Sequence, residues 1–116
     1  MLQEVPTKKF RKDVKRVDSQ GKNLTKLATV IEFLKNKQTL EEKYKDHKLH
    51  GEYTGSRECH IEANWLLIYR IDDIENKLYL LRTGSHSELF NESFTNVNRL
   101  EKLNTELTKL IEEFQI

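Results

Sequence analysis

The heptapeptide Trp65-Leu66-Leu67-Ile68-Tyr69-Arg70-Ile71 constrains the fold more than any other stretch of the sequence. It is nearly all apolar and too short for a buried helix of ordinary length. That predicts a central β-strand covered on both faces. Residues 72–76 are polar and turn-forming, and residues 77–83 return as a second apolar run, so the pair reads as a hairpin. Upstream, Arg57 to Glu62 alternates: Cys59 and Ile61 take one side, Glu58, His60 and Glu62 the polar side. Three strands in series predict a β-meander.

The first third of the chain reads differently. Residues 1–5 suit a short first strand. Thr7 is a plausible N-cap for a helix carrying Phe10, Val14 and Val17 on one stripe and ending near Gly21. A second helix runs from Leu24 through Leu27, Ala28, Ile31 and Leu34, with the i, i+3, i+4, i+7 spacing of a buried face. Residues 36–52 are polar and aperiodic and read as a long loop. The expected class is therefore α+β, with two N-terminal helices packed on a small antiparallel sheet.

Beyond Phe90 the pattern changes again. Leu100, Leu103, Leu107, Leu110 and Phe114 step by 3, 4, 3 and 4, a heptad seam on an additional C-terminal helix. Packing on the domain and self-association through residues 97–114 are both open readings. The division expected is a domain over 1–90 and a helical extension over 91–116.

Charge bounds the function. The 116 residues carry a net charge of +1, but residues 1–48 hold thirteen Lys/Arg against seven Asp/Glu. The surplus is densest at Lys8, Lys9, Arg11 and Lys12, a pattern that suits a polyanion and equally a solvated helix face. No apolar run approaches the roughly 20 residues of a membrane span, and no apolar leader segment opens the sequence. The single cysteine, Cys59, excludes an internal disulfide, which fits a reducing, cytoplasmic setting.

The chemistry concentrates in Arg82-Thr83-Gly84-Ser85-His86-Ser87-Glu88-Leu89-Phe90. Ser85 and Glu88 fit a capping box, which starts a short helix and puts His86 in its first turn. Arg82, at the preceding strand end, brings a guanidinium suited to phosphate oxygens. A fixed cation and a titratable imidazole beside an anion site are what phosphodiester cleavage uses. An exposed first-turn histidine and a surface arginine are the plain alternatives. His60, and His47 and His50 in the preceding loop, add imidazoles that could supply a base. His47, His50, Cys59 and His60 are also zinc-ligand types, but their spacing matches no ordinary structural zinc pattern. No metal and no cofactor is called for.

These segments resemble a known family. "YKDHKLHGEYTGSRECHIEANWLLIYRI" followed by "LYLLRTGSHSELF", with D-H, R-x-x-H-I, W-L-L-I-Y and R-T-G-S-H-x-x-L-F, is similar to the YafQ-type branch of the RelE/ParE toxin superfamily over about residues 1–90. The resemblance implies a RelE-like fold and a ribosome-dependent, metal-independent mRNA endonuclease. It also implies a RelB/DinJ-like antitoxin as partner, besides the ribosome and mRNA, and no membrane. His47, His60 and His86 match the family's active-site histidines, and Arg82 its phosphate-stabilising arginine. His86 would act as general acid, and His47 or His60 would assist deprotonation of the 2′-OH. Trp65 and Phe90 match aromatic positions at the site, with packing and substrate contact as equal readings. Asn64 stands where relatives usually carry an acidic residue; an amide hydrogen-bonds but is no base near neutrality, so activity is expected to be reduced or to shift to His60. Two other readings stay in view: a gyrase-binding ParE-like toxin, and a non-catalytic interaction protein whose tail helix mediates assembly or autoinhibition.

Overall fold

The computed structural model describes residues 1–90. The chain divides into two compact units, Met1–Ser85 and His86–Ile116. The C-terminal helix expected over 91–116, with the seam expected within residues 97–114, lies outside the described residues.

In the first unit the order is β1 (Gln3–Pro6), α1 (Lys8–Ser19), α2 (Leu24–Lys35), β2 (His47–Lys48), β3 (Arg57–Glu62), β4 (Trp65–Asp72) and β5 (Lys77–Gly84). The five strands form one sheet in the order β1-β5-β4-β3-β2. β3 to β5 pair antiparallel as the meander predicts and β2 adds to β3 in the same sense, whereas β1 joins the outer side of β5 in parallel, with Gln3 opposite Lys77 and Pro6 opposite Leu80. The sheet as a whole is thus mixed rather than antiparallel throughout. A four-residue strand carries no direction in its sequence; the chain's course through α1 and α2 sets it.

Local chemistry fixes the helices. The Thr7 hydroxyl oxygen accepts from Phe10 N at 3.1 Å and its O–H donates to Leu81 O at 3.0 Å, so one side chain caps α1 and ties it to β5. Asn23 caps α2 by accepting from Thr25 N at 3.0 Å. Phe10 and Val17 from α1, and Leu27, Val30, Ile31 and Leu34 from α2, meet Cys59, Trp65, Leu67, Tyr69, Leu78 and Leu80 in one core. Each such side chain contributes roughly 1.5–3 kcal/mol of transfer free energy. Leu66 and Ile68, which alternate with these, are also fully buried. β4 is therefore covered on both faces from Trp65 to Tyr69, as its composition predicts.

The expected loop over 36–52 is more ordered than its composition suggests. It holds 3-10 turns at Glu42–Tyr44 and Gly51–Tyr53, with the two-residue β2 between them. Asp46 anchors this segment: it accepts from the Tyr69 hydroxyl at 2.6 Å and from Arg57 Nε at 3.3 Å. Just beyond, at the C-terminal end of β4, Asp72 Oδ1 accepts from Ile74 N and Glu75 N at 3.1 and 3.0 Å and closes the β4–β5 hairpin.

Candidate active site

Sheet register assembles the site. His47 pairs with Glu58, Glu58 with Ile68, and Ile68 with Arg82, a row running across β2, β3, β4 and β5. Paired residues share a face, and residues two apart on a strand do too, so His60 joins the same face. His47, Glu58, His60 and Arg82 thus come from three strands, β2, β3 and β5, to one side of the sheet.

Glu58 is 2% exposed and sits between the two imidazoles. Its Oε1 lies 3.7 Å from His47 Nε2 and 3.5 Å from His60 Nε2, and the ring centroids are 6.5 Å apart. On the far side of each ring Nδ1 faces a backbone carbonyl, Lys45 O at 2.7 Å for His47 and Ala63 O at 3.3 Å for His60. A carbonyl only accepts, so Nδ1 carries the hydrogen in both rings. Proton exchange then falls to the two Nε2 atoms, and either ring, once protonated, forms an ion pair with Glu58.

Arg82 is held from α1. Asp13, 2% exposed, accepts from Arg82 Nε at 2.6 Å, Arg82 Nη2 at 3.2 Å, Arg16 Nη1 at 2.7 Å and Thr83 N at 3.1 Å. The hydrogen bonds and charge of Asp13 hold the Arg82 guanidinium above its ordinary range against the opposing effect of burial, with Tyr53 adding to them. Arg82 is accordingly a permanent cation in a fixed orientation. Trp65, enclosed in the core, donates Nε1–H to the Thr83 hydroxyl at 2.9 Å, and Thr83 donates in turn to Leu66 O at 2.7 Å. This chain braces the residue next to Arg82.

The remaining sequence candidates are dispersed. Asn64 is exposed in the turn between β3 and β4, and Lys8, Lys9, Arg11 and Lys12 are exposed on α1. In the second unit His86 opens α3 (His86–Leu89). The Phe90 ring lies 5.6 Å from that of His86, and Phe90 N donates to His86 O at 2.8 Å. α3 is a single turn, so the helix dipole expected beside His86 is built from very few aligned peptides and supplies little of an anion site.

Two residues of the site are absent from the sequence candidates. Alternation puts Glu58 on the polar face of β3, and alternation alone cannot tell a solvated face from an enclosed one. Asp13 has a legible signal: it stands on α1's apolar stripe, three residues after Phe10 and four before Val17. Among the described residues no group of three or more His, Cys, Asp or Glu is arranged to hold a metal ion.

Cys59 belongs to the frame of the site. Burial, then the charges of Asp46 and Glu58, raises its thiol well above the ordinary value, and burial with the Asp46 hydrogen bond raises Tyr69 likewise. Folding therefore favours both neutral forms. Their contribution to stability is intact below the ordinary thiol value of about 8.5 and is lost as pH rises above it, Tyr69 adding from about 10. The folded protein should resist iodoacetamide at about pH 7.5, below the ordinary thiol value, and react on denaturation, and its urea midpoint should decline as pH rises into the alkaline range. Equal alkylation of folded and denatured protein would contradict this.

Comparison with known proteins identifies the family. Residues 2–91 match the family model described as the bacterial toxin of the type II toxin–antitoxin system, YafQ. The chain is 39% identical over 82 residues to the mRNA interferase toxin YafQ of Escherichia coli strain K12, covering 70% of this chain and 87% of that protein. Among solved structures it resembles a metal-bound toxin from Helicobacter pylori, with 47% identity and a TM-score of 0.74 over 78% of this chain and 100% of that one. It also resembles a chain of the E. coli DinJ–YafQ complex, with 35% identity and a TM-score of 0.71 over 78% of this chain and 99% of that one. No helix among the described residues is long and apolar enough to cross a membrane. The chain belongs to the YafQ family of type II toxin–antitoxin toxins.

Proposed function

We propose that this toxin is an endoribonuclease that cuts mRNA on the ribosome and is silenced by a DinJ-like antitoxin. The observation that carries the reading is the buried Glu58 carboxylate between His47 and His60, on the sheet face that also carries Arg82. The name of the E. coli relative, mRNA interferase, and the DinJ complex of a 35% identical chain support it.

In this reading the scissile phosphate lies by Arg82, whose fixed charge balances the charge gained on the phosphoryl oxygens. The 2′-OH of the preceding ribose loses its proton to Nε2 of His47 or His60, with Glu58 stabilising the imidazolium. The 2′ oxygen attacks phosphorus, the P–O5′ bond breaks, and His86 gives its proton to the departing oxygen. The products are a 2′,3′-cyclic phosphate and a 5′-hydroxyl, and side chains carry both proton transfers. Asn64 contributes hydrogen bonds to the message, and the base role that a carboxylate there would fill falls to His60. Phe90 contacts the nucleotide beside His86, Trp65 keeps the Arg82 strand in place, and Lys8, Lys9, Arg11 and Lys12 meet ribosomal phosphates. A gyrase-binding toxin would leave the His–Glu–His cluster without a purpose.

Primer extension on translated mRNA after induction tests the reading. Discrete cuts are expected, suppressed by the co-expressed antitoxin. Glu58→Gln should lower the cleavage rate by about 10²-fold, as for loss of one proton-transfer partner. Growth arrest with intact message would refute it.

A further inference from the structure

Beside the His–Glu–His cluster lies an open groove of about 460 Å³ that the reaction above leaves unused. β2 pairs only with residues 57 and 58 of β3, so from His60 onward β3 has no strand neighbour on that side among the described residues. Lys26 of α2, Lys43, Tyr44 and Lys45 of the 3-10 segment, and His60 with Ala63 line the opening. We propose that this groove is a nucleotide subsite, holding the base and phosphate next to the scissile bond of the RNA strand.

The inference rests on the endonuclease reading and extends it. His60 is a wall common to both sites: its Nε2 faces Glu58, while its Nδ1–H donates to the carbonyl of Ala63, itself part of the groove. A strand whose phosphate sits at the cluster must leave it past one wall or another, and this wall opens into a cavity of ligand-binding size. Charge suits a polyanion. The lining holds three lysines against one carboxylate, Glu62. Lys26 Nζ meets Glu62 at 2.8 Å and Lys22 approaches it at 3.6 Å, so that carboxylate is already neutralised. Lys43 and Lys45 make up the surplus; the Lys43–Glu41 contact of 3.8 Å joins two exposed groups and holds Lys43 only weakly. Tyr44 adds an aromatic ring to the lining, and unstacked RNA bases are commonly received by such rings. The Lys45 backbone is held in a left-handed turn (φ 48°), and its carbonyl accepts from His47, which ties the groove's rim to the catalytic ring.

The test uses the full-length toxin labelled with ¹⁵N and an RNA dinucleotide made uncleavable by a 2′-O-methyl group. Amide shifts are expected at Tyr44, Lys45 and Ala63 as well as at His60. Affinity should fall about tenfold in Lys43→Glu/Lys45→Glu, with a shallower salt dependence. In cleavage assays Lys43→Glu should raise KM and leave kcat unchanged. Shifts confined to His47 and Glu58, no shifts at all, or undiminished binding by the double variant would each overturn the subsite. A hexaglutamate peptide that shifts the groove when the dinucleotide does not would overturn it too, in favour of an acidic protein segment. If the dinucleotide occupies the groove as expected but the wild-type toxin cuts no message, the subsite stands and the endonuclease reading alone fails.

Discussion

Arg82→Ala and His86→Ala are each expected to abolish message cleavage and growth arrest. His86→Ala should keep the stability of the wild type, whereas Arg82→Ala should lower it but stay folded, because Asp13 retains Arg16 and Thr83 N. Arg82 contributes a charge that needs no proton and no reorientation, because Asp13 already grips its Nε and Nη2. Loss of one preorganised electrostatic stabiliser costs about 10²–10³ in kcat. His86 is the proposed proton donor to O5′, and loss of a general acid costs about 10²–10⁴. Arg82→Lys separates charge from geometry: an ammonium cannot span both oxygens of Asp13 as the planar fork does, so it should recover only part of the rate. Single-turnover rates on a programmed ribosome, with antitoxin binding as the check of fold, decide the matter. Wild-type cleavage by either alanine variant would remove that residue from the mechanism.

The sequence carries the frame of this site more clearly than its chemistry. The β4–β5 hairpin, the Thr7 cap and most of the stripe of α2 are legible in short-range patterns, because short-range physics builds them, although Ala28 is exposed and Val30 takes its place in the core. β2 has no such pattern. It is two residues long, and Asp46, which holds it, finds its partners Arg57 and Tyr69 eleven and 23 residues further on. The same holds for Glu58: period-two alternation assigns it a face, but only tertiary packing closes that face and makes it a buried carboxylate between two imidazoles. Arg82 is legible as a cation, and the RTGSH resemblance supplies its expected role. Its holder is harder to see, although an aspartate on the apolar stripe of α1 conflicts with that stripe and so marks a special position. The capping box at Ser85 and Glu88 marks where α3 begins, and a capping box carries no information on how long its helix runs.

Asp13 provides the second large effect, and it joins stability to rate. Its carboxylate is buried and takes four hydrogen bonds, three of them from two guanidinium groups and one from the backbone of Thr83. Asp13→Ala removes the counter-charge and leaves Arg82, itself largely buried, beside a void. The expected cost is about 3–5 kcal/mol in urea unfolding, the range for breaking a buried ion pair from one side. Asp13→Asn keeps the shape and some of the hydrogen bonding but not the charge, so it should remain folded and allow the rate to be measured. In Asp13→Asn kcat should fall with little change in KM, because Arg82 keeps its charge and loses its orientation. Arg82→Lys in that background should cost less than it does in the wild type, since the grip it breaks is already weakened. Additive losses in this double-mutant cycle would show that Asp13 supports the fold alone. A shared loss makes it the positioning residue through which α1 sets the cation of the active face.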